Sequence, residues 1–135
     1  MKRSMVATAG LLISTGALAD SLQGVDRMVC ATEQIQLCVE GDECYDVPPS
    51  EASIPSFLVV DLKKKLLSTT KGSAENRTTA IANLSRVDGH IYIQGVDRGR
   101  AFSFVIEEDT GRMTVAVSRD GTTVTVFGAC TSTEL

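Results

Sequence analysis

The chain has 135 residues, 43% of them hydrophobic and 4% aromatic, with 13 basic against 17 acidic side chains and a net charge of −4. That length allows one domain with one core. The acidic balance argues against nucleic acid or an anionic membrane surface as a partner, since both reward a positive field, and four cysteines in so short a chain point to an oxidising compartment.

Lys2 and Arg3 give the chain a positive start. An apolar stretch follows from Met5 through Leu12 and Ile13 to Leu18, and Ala17-Leu18-Ala19 supplies the small-x-small pattern a signal peptidase reads. Residues 1–19 are therefore expected to be a signal peptide, cleaved between Ala19 and Asp20, and residues 20–135 a single β domain. The apolar run is too short to span a bilayer. No later stretch is long enough, so no membrane insertion is expected after cleavage, and no cysteine stands at the cleavage point to carry a lipid. Acid is concentrated early: Glu33, Glu40, Asp42, Glu43, Asp46, Glu51 and Asp61 lie between Arg27 and Lys63 with no base among them.

Val29, Ala31, Ile35, Leu37 and Val39 alternate with polar neighbours and predict a first strand with Cys30 and Cys38 on its other face. Pro48-Pro49 and Pro55 mark an irregular link. Phe57 to Val60 is strand-like, Lys63-Lys64-Lys65 a solvated turn before Leu66-Leu67, and Lys71 to Asn76 a polar loop. Thr78 to Val87 permits helix or strand; strand is preferred because the segment runs into Asp88-Gly89. From there Asp88-Gly89, Asp97-Arg98-Gly99, Asp109-Thr110-Gly111 and Asp120-Gly121 punctuate the chain as turns. Between them Ile91 and Ile93 oppose His90, Tyr92 and Gln94. Phe102, Phe104 and Ile106 then share a face, as do Met113, Val115 and Val117, and Val124 and Val126. A period of two joined by short connections makes residues 90–130 an antiparallel four-stranded meander. The fold class is all-β: an antiparallel meander of seven or eight short strands, closing into a small barrel or half-barrel because open edges invite pairing with other chains.

Four cysteines allow three pairings, and sequence does not choose among them. The pairing adopted is Cys38–Cys44, stapling a turn around Gly41-Asp42, with Cys30–Cys130 tying the first strand to the last. On the chain-entropy model these are worth roughly 2.4 and 4.7 kcal/mol. Zinc is disfavoured, since no C-x2-C element exists and His90 is the single histidine. Gln23-Gly24-Val25-Asp26-Arg27 recurs at Gln94-Gly95-Val96-Asp97-Arg98, but no period extends it, so it reads as chance reuse of a turn-friendly string.

Several segments together resemble a group of small exported proteobacterial proteins. They are Cys30 with Cys38, Ile54-Pro55-Ser56-Phe57, Val60-Asp61-Leu62, Arg77-Thr78-Thr79-Ala80-Ile81, Gly99-Arg100-Ala101-Phe102-Ser103-Phe104, Thr110-Gly111-Arg112-Met113-Thr114 and the C-terminal Val126-Phe127-Gly128-Ala129-Cys130-Thr131. The resemblance implies a periplasmic location and transfers no catalytic residue.

Candidate chemistry is sparse. His90 would carry any histidine-based catalysis, with Asp88 close in sequence and Ser85 and Ser103 as neighbours in the strand pattern, but no Gly-x-Ser-x-Gly elbow exists. Glu107, Glu108 and Asp109 sit at a turn where carboxylates are normally wet, and Asp109-Thr110-Gly111 spells the aspartic-protease triplet only as a hairpin signal. Glu40, Asp42, Glu43 and Asp46 lack the pattern of a calcium loop. Asn76-Arg77-Thr78 and Asn83-Leu84-Ser85 fit the glycosylation acceptor pattern, which matters only in a eukaryotic secretory path. Arg77, Arg98, Arg100, Arg112 and Arg119 stand at strand ends or turns, where some could gather around an anion. The binding candidates are thus His90, Tyr92, Arg77 and Arg100, with no catalytic set, no metal and no cofactor. The leading expectation is an exported, non-enzymatic binding or accessory protein of the bacterial envelope, whose partner is an envelope protein or component reached through loops or a sheet face. One alternative is a carrier of a small apolar ligand, which needs a cavity of at least ~300 Å³. Another is a hydrolase with His90 within about 3 Å of a nucleophile or carboxylate.

Overall fold

The first strand, β1 (Arg27–Val39), is also the longest, and it changes face part-way. The computed structural model describes residues 7–11, 21–73 and 75–133; the expected cleavage point at Ala19–Asp20 lies outside them. Met28 and Cys30 are buried at the start of β1, whereas Ile35 is buried further on. A bulge between Thr32 and Gln34 inserts one extra residue and reverses the parity. The expected face assignment is thereby corrected: Val29 and Ala31 do not share the inward face of Ile35 and Leu37, and Cys30 belongs to the core.

Beyond the turn closed by the Cys38–Cys44 disulfide, β2 (Tyr45–Asp46) pairs back onto β1. The proline link then holds one helical turn, α1 (Pro49–Ala52), with Pro49 at its first position and Ser53 ending it in a left-handed conformation. β3 (Phe57–Asp61) and β4 (Leu66–Thr69) form a hairpin about the lysine turn, where the Lys64 amide donates to the Asp61 carboxylate at 2.9 Å. Segment 78–87 is extended, as preferred, but it is two strands, β5 (Thr78–Ala80) and β6 (Asn83–Val87), with a corner at Ile81-Ala82. Buried Ile81 anchors that corner. Its amide donates to the Lys65 carbonyl and the Ala82 amide to the Gln94 carbonyl, both at 2.9 Å. The meander follows as β7 (His90–Asp97), β8 (Arg100–Glu107), β9 (Arg112–Arg119) and β10 (Thr122–Ser132). Asp88-Gly89 and Arg98-Gly99 have positive φ at both residues, the type I′ geometry whose twist matches that of the flanking strands. The split at the corner and the addition of β2 bring the described strands to ten, above the seven or eight expected.

All strands pair antiparallel in one sheet, in the order β5-β4-β3-β1-β10-β9-β8-β7-β6, with β2 beside β1. The first and last strands are therefore central neighbours, and Cys30 and Cys130, direct register partners, are joined by a disulfide. The edge strands β5 and β6 are consecutive in the chain, so the sheet has to curl until its edges meet at Ile81-Ala82. The result is a curled half-barrel.

Cross-strand register stacks the interior in rows. Ile91, Ile106, Met113 and Gly128 make the lower row. Ile93, Phe104, Val115, Val126 and Ile35 make the middle one, and Gly95, Phe102, Val117, Val124 and Leu37 the upper one. Burying each large apolar side chain contributes about 1.5–3 kcal/mol. Below the lower row the N-terminal segment closes the barrel. Leu22 is 0% exposed and its amide donates to the Glu108 carbonyl at 2.7 Å. Arg86 holds it there, donating to the carbonyls of Leu22 and Val25 at 2.9 Å each and pairing with Glu108 at 3.2 Å and Asp26 at 3.5 Å. The repeated pentapeptide takes two conformations: Gly24 has φ +72° in the loop before β1, while Gly95 lies within β7.

Candidate functional site

The opposite end of the half-barrel, at the β7–β8 turn, is not closed. Arg77, just before β5, has its guanidinium 15% exposed and bonds to the Asp97 carboxylate at 3.3 Å, to Glu75 at 3.4 Å and to the Ser53 carbonyl at 3.3 Å. Thr79 donates to the same Asp97 oxygen at 3.3 Å. These bonds draw β5 toward β7 across the unpaired edge of the sheet. Arg100 is the register partner of Asp97 and is half-buried. Among the described residues no hydrogen bond or ion pair engages its guanidinium. Its pKa is lowered, first by burial and then by the positive charge of Arg77. Arg119 and Arg98 add to the effect, while Asp97 opposes it.

Beneath this rim lies a cavity of about 110 Å³ whose wall is chiefly apolar, with Leu58, Leu67, Phe102, Phe104, Val115 and Val126 prominent in it. Phe102 and Phe104 meet edge to face at 5.8 Å. Gly95 makes room for this arrangement, because a Cβ there would collide with the Phe102 ring. An adjoining hollow of about 220 Å³ shares Ser53, Ile54, Arg100 and Val117 with the first and adds Glu51 and Arg119. The link carrying α1 thus borders the opening with Ser53, Ile54 and Pro55.

Comparison with protein-family models, curated proteins and solved structures finds no match to this chain.

The candidate residues separate into two groups. Arg77 and Arg100 meet at the open end, with Arg98 and Arg119 close enough to act on Arg100 electrostatically. His90 and Tyr92 belong elsewhere. His90 starts β7 while Asp97 ends it, a separation of roughly 23 Å along the strand. The His90 Nδ1 lies 2.9 Å from the Asp88 carbonyl, and its ring centre is 6.0 Å from that of Tyr92. Ser85 pairs with Tyr92 in register on that outer face. Glu107 accepts from the Thr110 hydroxyl at 3.0 Å and Glu108 is taken by Arg86, so the turn carboxylates serve the turn and the lower closure. Glu40, Asp42 and Glu43 are exposed, and among the described residues no three of His, Cys, Asp and Glu gather as a metal site would require. Tyr92 also ends an outer row of cross-strand neighbours, Phe127, Thr114, Val105 and Tyr92, of which three are large and exposed and only Tyr92 was singled out from sequence.

Proposed function

We propose that the protein is an exported, non-enzymatic binding protein of the bacterial envelope, working in the periplasm, and that its site is the open end of the half-barrel. The observation that carries the reading is Arg100: a half-buried guanidinium without an ion-pair partner among the described residues, standing over an apolar cavity. A rigid sheet that holds a charged donor with no protein partner among the described residues beside a chiefly apolar opening is arranged to receive something. Two disulfides suit an oxidising compartment, and among the described residues no helix is long and apolar enough to cross a membrane. The leader pattern of residues 1–19 and the resemblance to exported proteobacterial proteins carry the compartment.

The carrier alternative merges with this reading at a smaller scale. A cavity of about 110 Å³ is well below the ~300 Å³ of a drug-sized pocket, so the apolar part of the ligand is small. A second reading, contact with a partner protein through a sheet face, is favoured by the exposed row of Phe127, Val105 and Tyr92. The hydrolase reading draws least support, because His90 meets a backbone carbonyl on the outer face.

The test is cavity occupancy in protein purified from an osmotic-shock fraction. Xenon, which enters apolar cavities of this kind, is expected to shift the methyl signals of Leu67, Val115 and Val126, and not to do so in Val115→Phe. Unmoved methyl signals in the wild type would remove the site. A chain that stays with the cytoplasm and keeps its first residues would remove the compartment.

A further inference from the structure

We propose that the open end binds a small organic carboxylate, its carboxylate on the Arg100 guanidinium and a short apolar group of about four or five carbons in the cavity below. The proposal rests on the binding reading above and adds the chemical class of the ligand.

Three features select the anion. Asp97 is already engaged by Arg77 and Thr79, at 3.3 Å each, so the rim's own carboxylate is spent on holding the sheet edge. Arg100 bears the repulsion of Arg77, Arg119 and Arg98, eased in part by Asp97, while partly withdrawn from water, and an incoming anion compensates both. A guanidinium presents two parallel N–H donors, a fork that matches the two oxygens of a carboxylate.

The cavity selects the rest of the molecule. The wall is chiefly apolar: Leu58, Leu67, Phe104, Val115 and Val126 offer dispersion, while Thr32, Ser68 and Thr79 contribute little polar surface, so inorganic phosphate or sulfate would engage Arg100 and leave most of this space without a partner. The volume limits what enters: an apolar cavity of roughly 150 Å³ holds a benzene ring, so about 110 Å³ takes slightly less. Nor can a long chain run through. Met113 closes the floor, Ile91 and Ile106 below are 0% exposed, and Leu22 seals the far end. A ligand that grows beyond about six carbons has to leave the cavity past Arg100, into the hollow lined by Glu51, Ser53 and Arg119. The site therefore discriminates by chain length as well as by charge.

The experiment is a titration of the disulfide-intact protein with hexanoate, hexanol, decanoate and inorganic phosphate, read by calorimetry and by amide and methyl shifts. Hexanoate is expected to move Arg100, Phe102, Val115 and Val126 and to bind at least tenfold tighter than hexanol, decanoate or phosphate. Arg100→Gln should weaken hexanoate at least tenfold and leave hexanol unchanged, and Arg100→Lys should fall between. Val115→Phe should abolish both organic ligands while leaving the disulfides and the circular dichroism spectrum intact. Hexanol binding as tightly as hexanoate, with Arg100→Gln indifferent, would overturn the anion assignment while the binding reading stands. Phosphate binding as tightly as hexanoate, or decanoate exceeding it, would overturn the apolar-group assignment in the same way. If no ligand disturbs the cavity residues, the inference and the reading fall together.

Discussion

Cutting the Cys30–Cys130 bond should cost the fold more than cutting Cys38–Cys44, and the reason lies in the unfolded chain. The two bonds differ mainly in the span they close, 100 residues against 6. Loop-closure entropy gives about 4.7 kcal/mol for the long span and about 2.4 kcal/mol for the short one. In the native state neither loss breaks a strand. β1 and β10 remain paired from Met28 to Val39 on the one side and from Ser132 to Thr122 on the other. A domain of this size has roughly 5–15 kcal/mol in total, so Cys30→Ala/Cys130→Ala removes a third or more of it. At about 4 °C per kcal/mol, the melting temperature should fall by roughly 20 °C, and by roughly 10 °C for Cys38→Ala/Cys44→Ala. The assay is guanidinium and thermal unfolding followed by circular dichroism in buffer without reductant. The denaturant slope should also rise in the long-span variant, since an unlinked chain exposes more surface when it unfolds. Equal losses for the two variants, or a larger loss for the short span, would refute the argument.

Three further outcomes follow from named contacts. Arg86→Met should cost about 2–4 kcal/mol, because it strands Glu108, 7% exposed, and frees two backbone carbonyls. Hydrogen exchange should then speed up at the Leu22 amide, and unchanged protection there would count against the clamp. Gly128→Ala should cost about 3 kcal/mol in urea unfolding, since its Cβ would collide with the Ala31 carbonyl beside the bulge; Gly72→Ala, in open space, serves as the control and should stay close to wild type. His90→Ala should leave hexanoate affinity in the calorimeter at the wild-type value, because His90 and the open end lie at opposite ends of β7.

The second half of the chain was legible because its turns and its alternation agree. Asp88-Gly89 fixed a two-residue hairpin, and the alternating apolar residues of β7 to β10 fell on one face, with Val96, Val105 and Phe127 exposed on the other. The first half was less readable for physical reasons. The bulge at Glu33 leaves no mark in composition, yet it turns Cys30 and Ile35 onto the same side although an odd number separates them. The corner at Ile81-Ala82 hides in a run with no glycine or proline, and the turning is imposed by long-range bonds to Lys65 and Gln94. The lower closure did leave a trace: Leu84 and Arg86 share parity on a strand, and a charge at a core-side position asks for a buried partner. That partner, Glu108, was expected to be wet because it stands at a turn, whereas it is 7% exposed. Of the open end, sequence offered Arg77 and Arg100 among its binding candidates but nothing that brings the two together. Their convergence depends on curling β5 round to β7, a contact no local pattern reports.

The placement of the candidate site follows from how this sheet ends. A curled sheet has one line along which its edges face each other, and an edge with unpaired backbone groups is a hazard to be kept short or covered. Here the chain itself bridges that line at Ile81-Ala82, and the edges are only Thr78–Ala80 and Asn83–Val87. Toward the lower end Arg86 and Leu22 complete the cover. Toward the upper end no backbone pairing is left to make, so side chains must hold β5 near β7, and they are polar ones: Arg77, Thr79 and Asp97. This is where the interior rows run out against partly exposed charge, and so where an apolar cavity and a guanidinium without an ion-pair partner among the described residues can share one opening. Arg77 and Thr79, which fasten the edge, also occupy Asp97 and so leave Arg100 unpaired. Asp97→Asn should accordingly move two properties in opposite directions. Stability should fall as Arg77 loses its partner, and any anion held by Arg100 should bind more tightly, because the competing carboxylate charge is gone. A variant whose hexanoate affinity drops together with its stability would show instead that Asp97 matters to the site only by keeping its shape.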